Sequence, residues 1–186
     1  SLVRLSFLKD YRVKVVNNGI DLSVFKRLET DFRQKYDCAD KFIVLGVAFD
    51  WGIRKGLDVF AEFEKRLDKN KFKKLKKLIK TLDENKFKIV LVGTDEKIDE
   101  SLSREIISIH RTQNQTELAQ IYSAADLLVN PTREENFPTV NIESLACGTP
   151  ILTFNTGGSP EIIDETCGAV VEKNDVDGLV GEIERI

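Results

Sequence analysis

A chain of 186 residues with 41% apolar side chains is long enough to bury one sizeable core, which predicts a single domain over residues 1–186. The 28 Lys and Arg nearly offset the 31 Asp and Glu, and a net charge of -3 supplies no global positive field to recruit nucleic acid. Cys38, Cys147 and Cys167 are odd in number and widely spaced, which excludes a disulfide framework and a zinc pattern and predicts reduced thiols in a cytoplasmic protein. No apolar run approaches the roughly 20 residues of a spanning helix. The opening SLVRLSFLKDY lacks the apolar core of a signal peptide. The absence of methionine and a first residue Ser1 lead us to expect a segment of a longer chain, with a partner domain upstream.

In chain order, Val- and Ile-rich runs predict strands over 13–17, 42–48, 87–92, 106–110, 126–130, 150–154 and 169–172. Helical periodicity falls between them, over 22–35, 56–81, 96–102, 115–124, 139–147, 160–163 and 176–186. Strand alternating with helix predicts βαβ units and an α/β fold with a doubly wound, Rossmann-like parallel sheet. IVLGVA and KIVLVG are apolar throughout, as strands buried on both faces are. Such sheets take ligands outside the carboxyl ends of their strands, so the loops after the strands are where chemistry is expected. One stretch breaks the rhythm: LDKNKFK at 67–73 and LDENKFK at 82–88 are near-copies, and the residues between them read as an insertion lengthening the preceding helix. There Phe72, Leu75, Leu78 and Ile79 fall at helical spacing against lysines. That helix, 71–80, either packs on the sheet with a solvated basic face or lies on an anionic membrane surface, peripheral to the inner face.

The most informative stretch is YSAADLLVNPTREENFPTVNIESLACGTPILTFNTGGSPE, from Tyr122 to Glu161. A buried strand ends at Asn130, the loop PTREENFP follows, and a helix begins near Thr139. Pro138 stands where a helix start tolerates proline, because its missing N–H has no intrahelical acceptor there. The free amides and positive dipole end of that helix suit a diphosphate. Glu135 precedes the helix and Glu143 lies eight residues later, a little over one turn inside it. A carboxylate only accepts hydrogen bonds, so beside a phosphate site these two suit sugar or ribose hydroxyls. Taken singly, a dipole-stabilising Glu135 and a surface-paired Glu143 are equally economical.

Glu135-Asn136-Phe137-Pro138-Thr139-Val140-Asn141-Ile142-Glu143 resembles the E-x7-E signature of retaining GT-B glycosyltransferases, family 4 above all. AADLLVNPT before it, ESLACGTPIL through it and NTGGSPEIID after it agree. Asn17-Asn18-Gly19-Ile20-Asp21 with Phe25 resembles the NGVD…F opening of the C-terminal domain in that family, and Arg54-Lys55-Gly56 resembles its basic KG turn. The resemblance runs in order from residue 17 to residue 164 and implies one half of a GT-B fold. It implies a C-terminal domain binding a nucleoside-diphosphate sugar, UDP- or GDP-linked, with the N-terminal acceptor domain elsewhere in the same protein. Catalytic Glu135 would contact the transferred sugar, Glu143 the ribose, and Lys55 the diphosphate, with Arg54 and the amides of Thr139 and Val140 nearby. Arg111 and Thr112, after the strand ending at His110, would lie against the base. The implied reaction is metal-independent transfer to an acceptor hydroxyl with retention, in bacterial surface polysaccharide biosynthesis. Two positions depart from the pattern. Gly46-Val47-Ala48-Phe49 stands where many members carry G-R-L, so that Arg54 would substitute, and Pro138 replaces the glycine after the signature phenylalanine.

The remaining features have plainer readings. Gly157-Gly158 suits a tight turn or a close approach to a ligand, and Glu161 a helix cap. Asp175-Val176-Asp177, the lone D-x-D, is expected to cap the last helix and not to hold a metal. Trp51 is expected to pack beneath the basic turn. Other functional classes stay open: a sugar-nucleotide epimerase or sugar phosphorylase on the same scaffold, or a non-catalytic nucleotide-binding module. The lack of G-x-G-x-x-G after the early strands counts against a dinucleotide-binding dehydrogenase.

Overall fold

The apolar runs of the sequence become parallel strands in a computed structural model, which describes residues 2–68, 87–103, 105–183 and 185. Among these residues the strands are β1 (Phe42–Val47), β2 (Phe87–Val92), β3 (Ile107–Ile109), β4 (Leu127–Asn130), β5 (Ile151–Phe154) and β6 (Gly168–Val171), ordered β3-β2-β1-β4-β5-β6 in one sheet. β1 pairs in parallel with β2 from Phe42↔Phe87 to Val47↔Val92, and with β4 through Val44↔Leu127 and Leu45↔Leu128. The order reverses at β1 and β4, which makes their carboxyl ends the topological switch point of the sheet.

Successive side chains alternate between two cores. Ile43, Leu45, Val90, Val92, Leu128 and Ile151 belong to one, and Val44, Ile89, Leu91, Leu127, Val129, Leu152 and Phe154 to the other. The first core is covered by α1 (Phe32–Lys35) and α4 (Gln115–Ala124), with Leu145 and Ala146 of α5 (Thr139–Ala146) packed against it. The second is covered by α2 (Leu57–Asp68), by α3 (Glu96–Ser101) through Ile98, and by α7 (Val176–Ile183) through Leu179. The short α6 (Ser159–Ile162) follows β5. Both faces of the sheet are thus buried, as its unbroken apolar runs predict, and the doubly wound α/β expectation holds.

Two expectations fail at the N-terminal end. No strand forms over 13–17, where Val13, Val15 and Val16 are exposed by 55, 81 and 80%. β-propensity needs a neighbouring strand to act on, and these residues have no ladder partner among the described ones. The helix predicted over 22–35 shrinks to one turn and α1. Asp21 closes that turn with its side chain on the Ser23 amide and its carbonyl on the amides of Val24 and Phe25. The chain is then drawn onto the sheet. Leu28 N–H donates to Ser123 Oγ, and the Arg33 guanidinium reaches the carbonyls of Ala124 and Lys41 and the Asp126 carboxylate, the last at 2.6 Å. These tertiary bonds outweigh helix propensity. The near-copy repeat and the lysine-rich helix 71–80 lie outside the described residues. No described helix is long and apolar enough to cross a membrane.

Candidate functional site

The loop after β1 turns sharply because of two side chains and one glycine. Trp51 is buried, donates from Nε1 to the Val92 carbonyl at 2.9 Å and meets Phe60 edge-on, so it anchors the loop to the end of β2 and to α2. A 3-10 turn, Ile53–Lys55, follows and closes on Gly56 in the left-handed conformation, φ 79°. A Cβ at Gly56 would lie 2.5 Å from Pro131 Cγ and 2.6 Å from Pro131 O, so glycine alone lets this turn touch the loop after β4.

The loop after β4 is held by one hydroxyl of its own and one from the loop after β5. Thr132 Oγ1 donates to the Glu134 carbonyl, and Thr156 Oγ1 donates to the Thr132 carbonyl. Gly157, at φ 52°, presses against the same loop: a Cβ there would stand 2.1 Å from the Glu135 carbonyl oxygen, and the Gly158 amide donates to the Asn136 carbonyl at 2.6 Å. The two glycines therefore pack on the backbone that carries Glu135, which favours the structural turn over a close approach to a ligand. Across the switch point Lys55 Nζ donates to Glu135 Oε2 at 2.7 Å, with both side chains 19% exposed. Glu135 Oε1 accepts from the Asn136 amide. Such a half-buried pair is worth on the order of 1–3 kcal/mol when one partner is removed, between the exposed and buried limits.

α5 starts at Thr139 behind Pro138, which offers no side-chain cap, so the first-turn amides of Thr139 and Val140 have no intrahelical acceptor. One turn on, the Glu143 carboxylate accepts from the hydroxyl of Tyr122, a fully buried residue of α4, at 3.0 Å. Burial pushes the Glu143 carboxyl above its ordinary range, and hydrogen bonds from Tyr122 and Thr139 oppose that shift. Burial also drives the Tyr122 phenol well above its usual range. Arg54 is half exposed beside Asp50, 3.8 Å away. Arg111 and Thr112 lie in the loop between β3 and the Asn114 cap of α4. The structure thus joins Lys55 and Glu135 directly and stations Thr139, Val140 and Glu143 on the helix behind them, with Arg54 on the rim and Arg111 and Thr112 beyond the end of β3.

Several groups escaped the sequence reading. Tyr122 has no local signal, because its carboxylate partner is on another helix. Arg133 resembles a solvated loop cation, yet its guanidinium forks onto Asp58 at 2.7 and 2.8 Å. Beside β3, Asp99 of α3 accepts from Ser108 and pairs with His110 Nε2 at 2.6 Å, which raises the His110 imidazole and lowers the Asp99 carboxyl from their ordinary values. Asp175 caps α7 through the Gly178 amide at 2.7 Å, in line with the cap reading of D-x-D. Among the described residues no three His, Cys, Asp or Glu side chains converge to hold a metal ion.

A doubly wound domain with Lys55 and Glu135 paired at the switch point of its sheet has the architecture in which α/β folds place their ligands. The model of the family "Glycosyl transferases group 1" matches residues 48–186, and the chain belongs to that family. D-inositol 3-phosphate glycosyltransferase of Mycobacterium marinum is 33% identical over 93 residues, 50% of this chain and 20% of the relative. The chain therefore aligns with only a small part of that curated relative's length. Sucrose-phosphate synthase from Thermosynechococcus elongatus superposes with a TM-score of 0.73 at 26% identity, over 99% of this chain and 45% of that one. Anabaena HepE, solved in complex with UDP and glucose, shares the fold, with a TM-score of 0.68 at 19% identity over 92% of this chain and 46% of its own. The neighbours are glycosyltransferases of the GT-B fold, and this chain is a GT-B-type domain of a glycosyltransferase family.

Proposed function

We propose that residues 1–186 are the C-terminal donor-binding domain of a retaining glycosyltransferase, taking a nucleoside-diphosphate sugar for transfer to an acceptor hydroxyl. The observation that carries this reading is the Lys55–Glu135 pair, one cation and one carboxylate 2.7 Å apart across the switch point of the sheet. In this reading the donor diphosphate takes over Lys55 and the first-turn amides of α5, with Arg54 sharing the load from the rim. Glu135, released or shared, turns its acceptor oxygens to the hydroxyls of the transferred sugar. Glu143 takes the ribose. Its carboxylate is already drawn from water and holds a Tyr122 bond, so each hydroxyl it gains counts for more than it would in solvent. Arg111 and Thr112 face the base, and UDP and GDP are the candidate carriers; UDP is the nucleotide in the HepE complex. The acceptor, read by family analogy as a growing bacterial surface polysaccharide, would approach from an N-terminal domain of the same protein.

Calorimetry with UDP, GDP and NAD tests the reading. One of the nucleoside diphosphates should bind, and Glu143→Ala should weaken it by about 1–3 kcal/mol, the scale of hydrogen bonds to a charged group. Glu135→Ala should spare the free nucleotide and lose discrimination between sugars. Binding of NAD with UDP and GDP inert would move the protein to a different functional class.

A further inference from the structure

We infer that Arg133 is a positioning residue that fixes Lys55 opposite Glu135, acting through the backbone around Lys55 and touching no ligand itself. The inference rests on the donor-site reading above. Arg133 lies two residues before Glu135, and its bonds bracket Lys55 on both sides. Its amide donates to the Arg54 carbonyl at 2.8 Å, and Nη1 donates to the Ile53 carbonyl. The same Nη1 and Nη2 reach the two oxygens of Asp58, in the first turn of α2, while Nε donates to Asn174 Oδ1 at 2.6 Å. Asn174 stands at φ 70° in the loop after β6, so one guanidinium joins the loops that follow β1, β4 and β6.

Three features separate this residue from a general surface ion pair. The Arg133 side chain is only 17% exposed against 49% for Asp58, so the fork is covered at its arginine end and open to solvent at its carboxylate end. The fork is bidentate, which fixes orientation as well as distance and which no lysine reproduces. With both Asp58 oxygens and two further acceptors engaged, the guanidinium is committed to the protein, whereas Lys55 Nζ has, among the described residues, one partner that a phosphate can displace. Sliding the β4 loop along the β1 loop would strain the Arg133 contacts together with the Lys55–Glu135 pair. Arg133 therefore adds a directional clamp to the loop contacts made at Gly56 and Gly157.

A double-mutant cycle on the full-length protein, read as UDP or GDP affinity by calorimetry, tests the inference. Arg133→Met is expected to weaken the nucleotide about tenfold, the size of losing the alignment of one charge-assisted contact. Arg133→Lys, which keeps the charge and loses the fork, should recover little of this. In a Lys55→Ala background Arg133→Met should cost nothing further, because its effect passes through Lys55. Asp58→Asn leaves the loop sequence intact and serves the same cycle if Arg133→Met fails to fold. Full additivity with Lys55→Ala, or wild-type affinity in both natively melting Arg133→Met and Asp58→Asn, overturns the inference alone. Wild-type affinity in Lys55→Ala itself overturns the donor-site reading and the inference with it.

Discussion

Glu143 and His110 both lose their contribution to stability as pH rises, in different windows, and both can be measured. The Glu143 carboxyl is raised above its ordinary 4.5, so between that value and its native one the folded protein holds more proton than the unfolded chain. Stability on this account is greatest below 4.5 and falls as pH rises through the window. Glu143→Gln cannot titrate and still accepts from Tyr122, so it should raise the Tm at pH 7 and match the wild type near pH 4. Equal melting of the two proteins at pH 7 would refute this. His110 is raised above 6.5 by its bond to Asp99; its contribution is complete below 6.5 and lost as pH rises through the native value. An NMR titration of the one histidine should place its midpoint above 6.5, and Asp99→Asn should bring it down. Lys55 and Glu135 were legible because each sits in a short motif at a strand end. Tyr122 and Arg133 were not, since their carboxylate partners stand 21 and 75 residues away and only the folded chain brings them together.

Elements were legible wherever they satisfy themselves locally or lie in the middle of the sheet. α4 begins where Asn114 accepts the Glu117 amide and Glu117 returns a bond to the Gln113 amide, a capping arrangement visible in QNQTE. The valines over 13–17 have the composition of a strand and no neighbour to make one, and the pattern over 22–35 was overridden by the Arg33 bonds. No reading of residues 13–35 alone contains the residues, Ser123 to Asp126, that settle their shape. α7 offers a comparison within one helix. A Cβ at Gly181 meets nothing within 4 Å, whereas one at Gly178 would meet Asp175 Oδ2 at 2.4 Å and disturb the cap. Gly181→Ala should stabilise the domain by about 0.5–1 kcal/mol from helix propensity. Gly178→Ala should give no gain, and chemical denaturation of the two variants side by side decides the matter.

At the scale of the whole molecule, the donor reading predicts a division of labour. Residues 1–186 produced alone are expected to bind UDP or GDP weakly and to transfer no sugar, because an open site leaves each ionic contact screened and worth about 0–1 kcal/mol. Raising the salt should weaken that binding further, and turnover equal to that of the full-length protein would refute the half-site reading. The strand order also carries a kinetic consequence. β1 lies at the centre of the sheet, yet its contact with the β4 side, marked by the Ile43 amide on the Asp126 carboxylate, closes a span of 83 residues. During synthesis β1, β2 and β3 emerge first, and the free edge of β1 waits for the second half to arrive. Closure over so long a span is slow, because loop entropy is lost before the contact repays it, and an unpaired central strand is prone to join a neighbouring chain meanwhile. Closing the β1–β4 seam is then a slow step in completing the sheet, and refolding yield should fall with protein concentration for that reason.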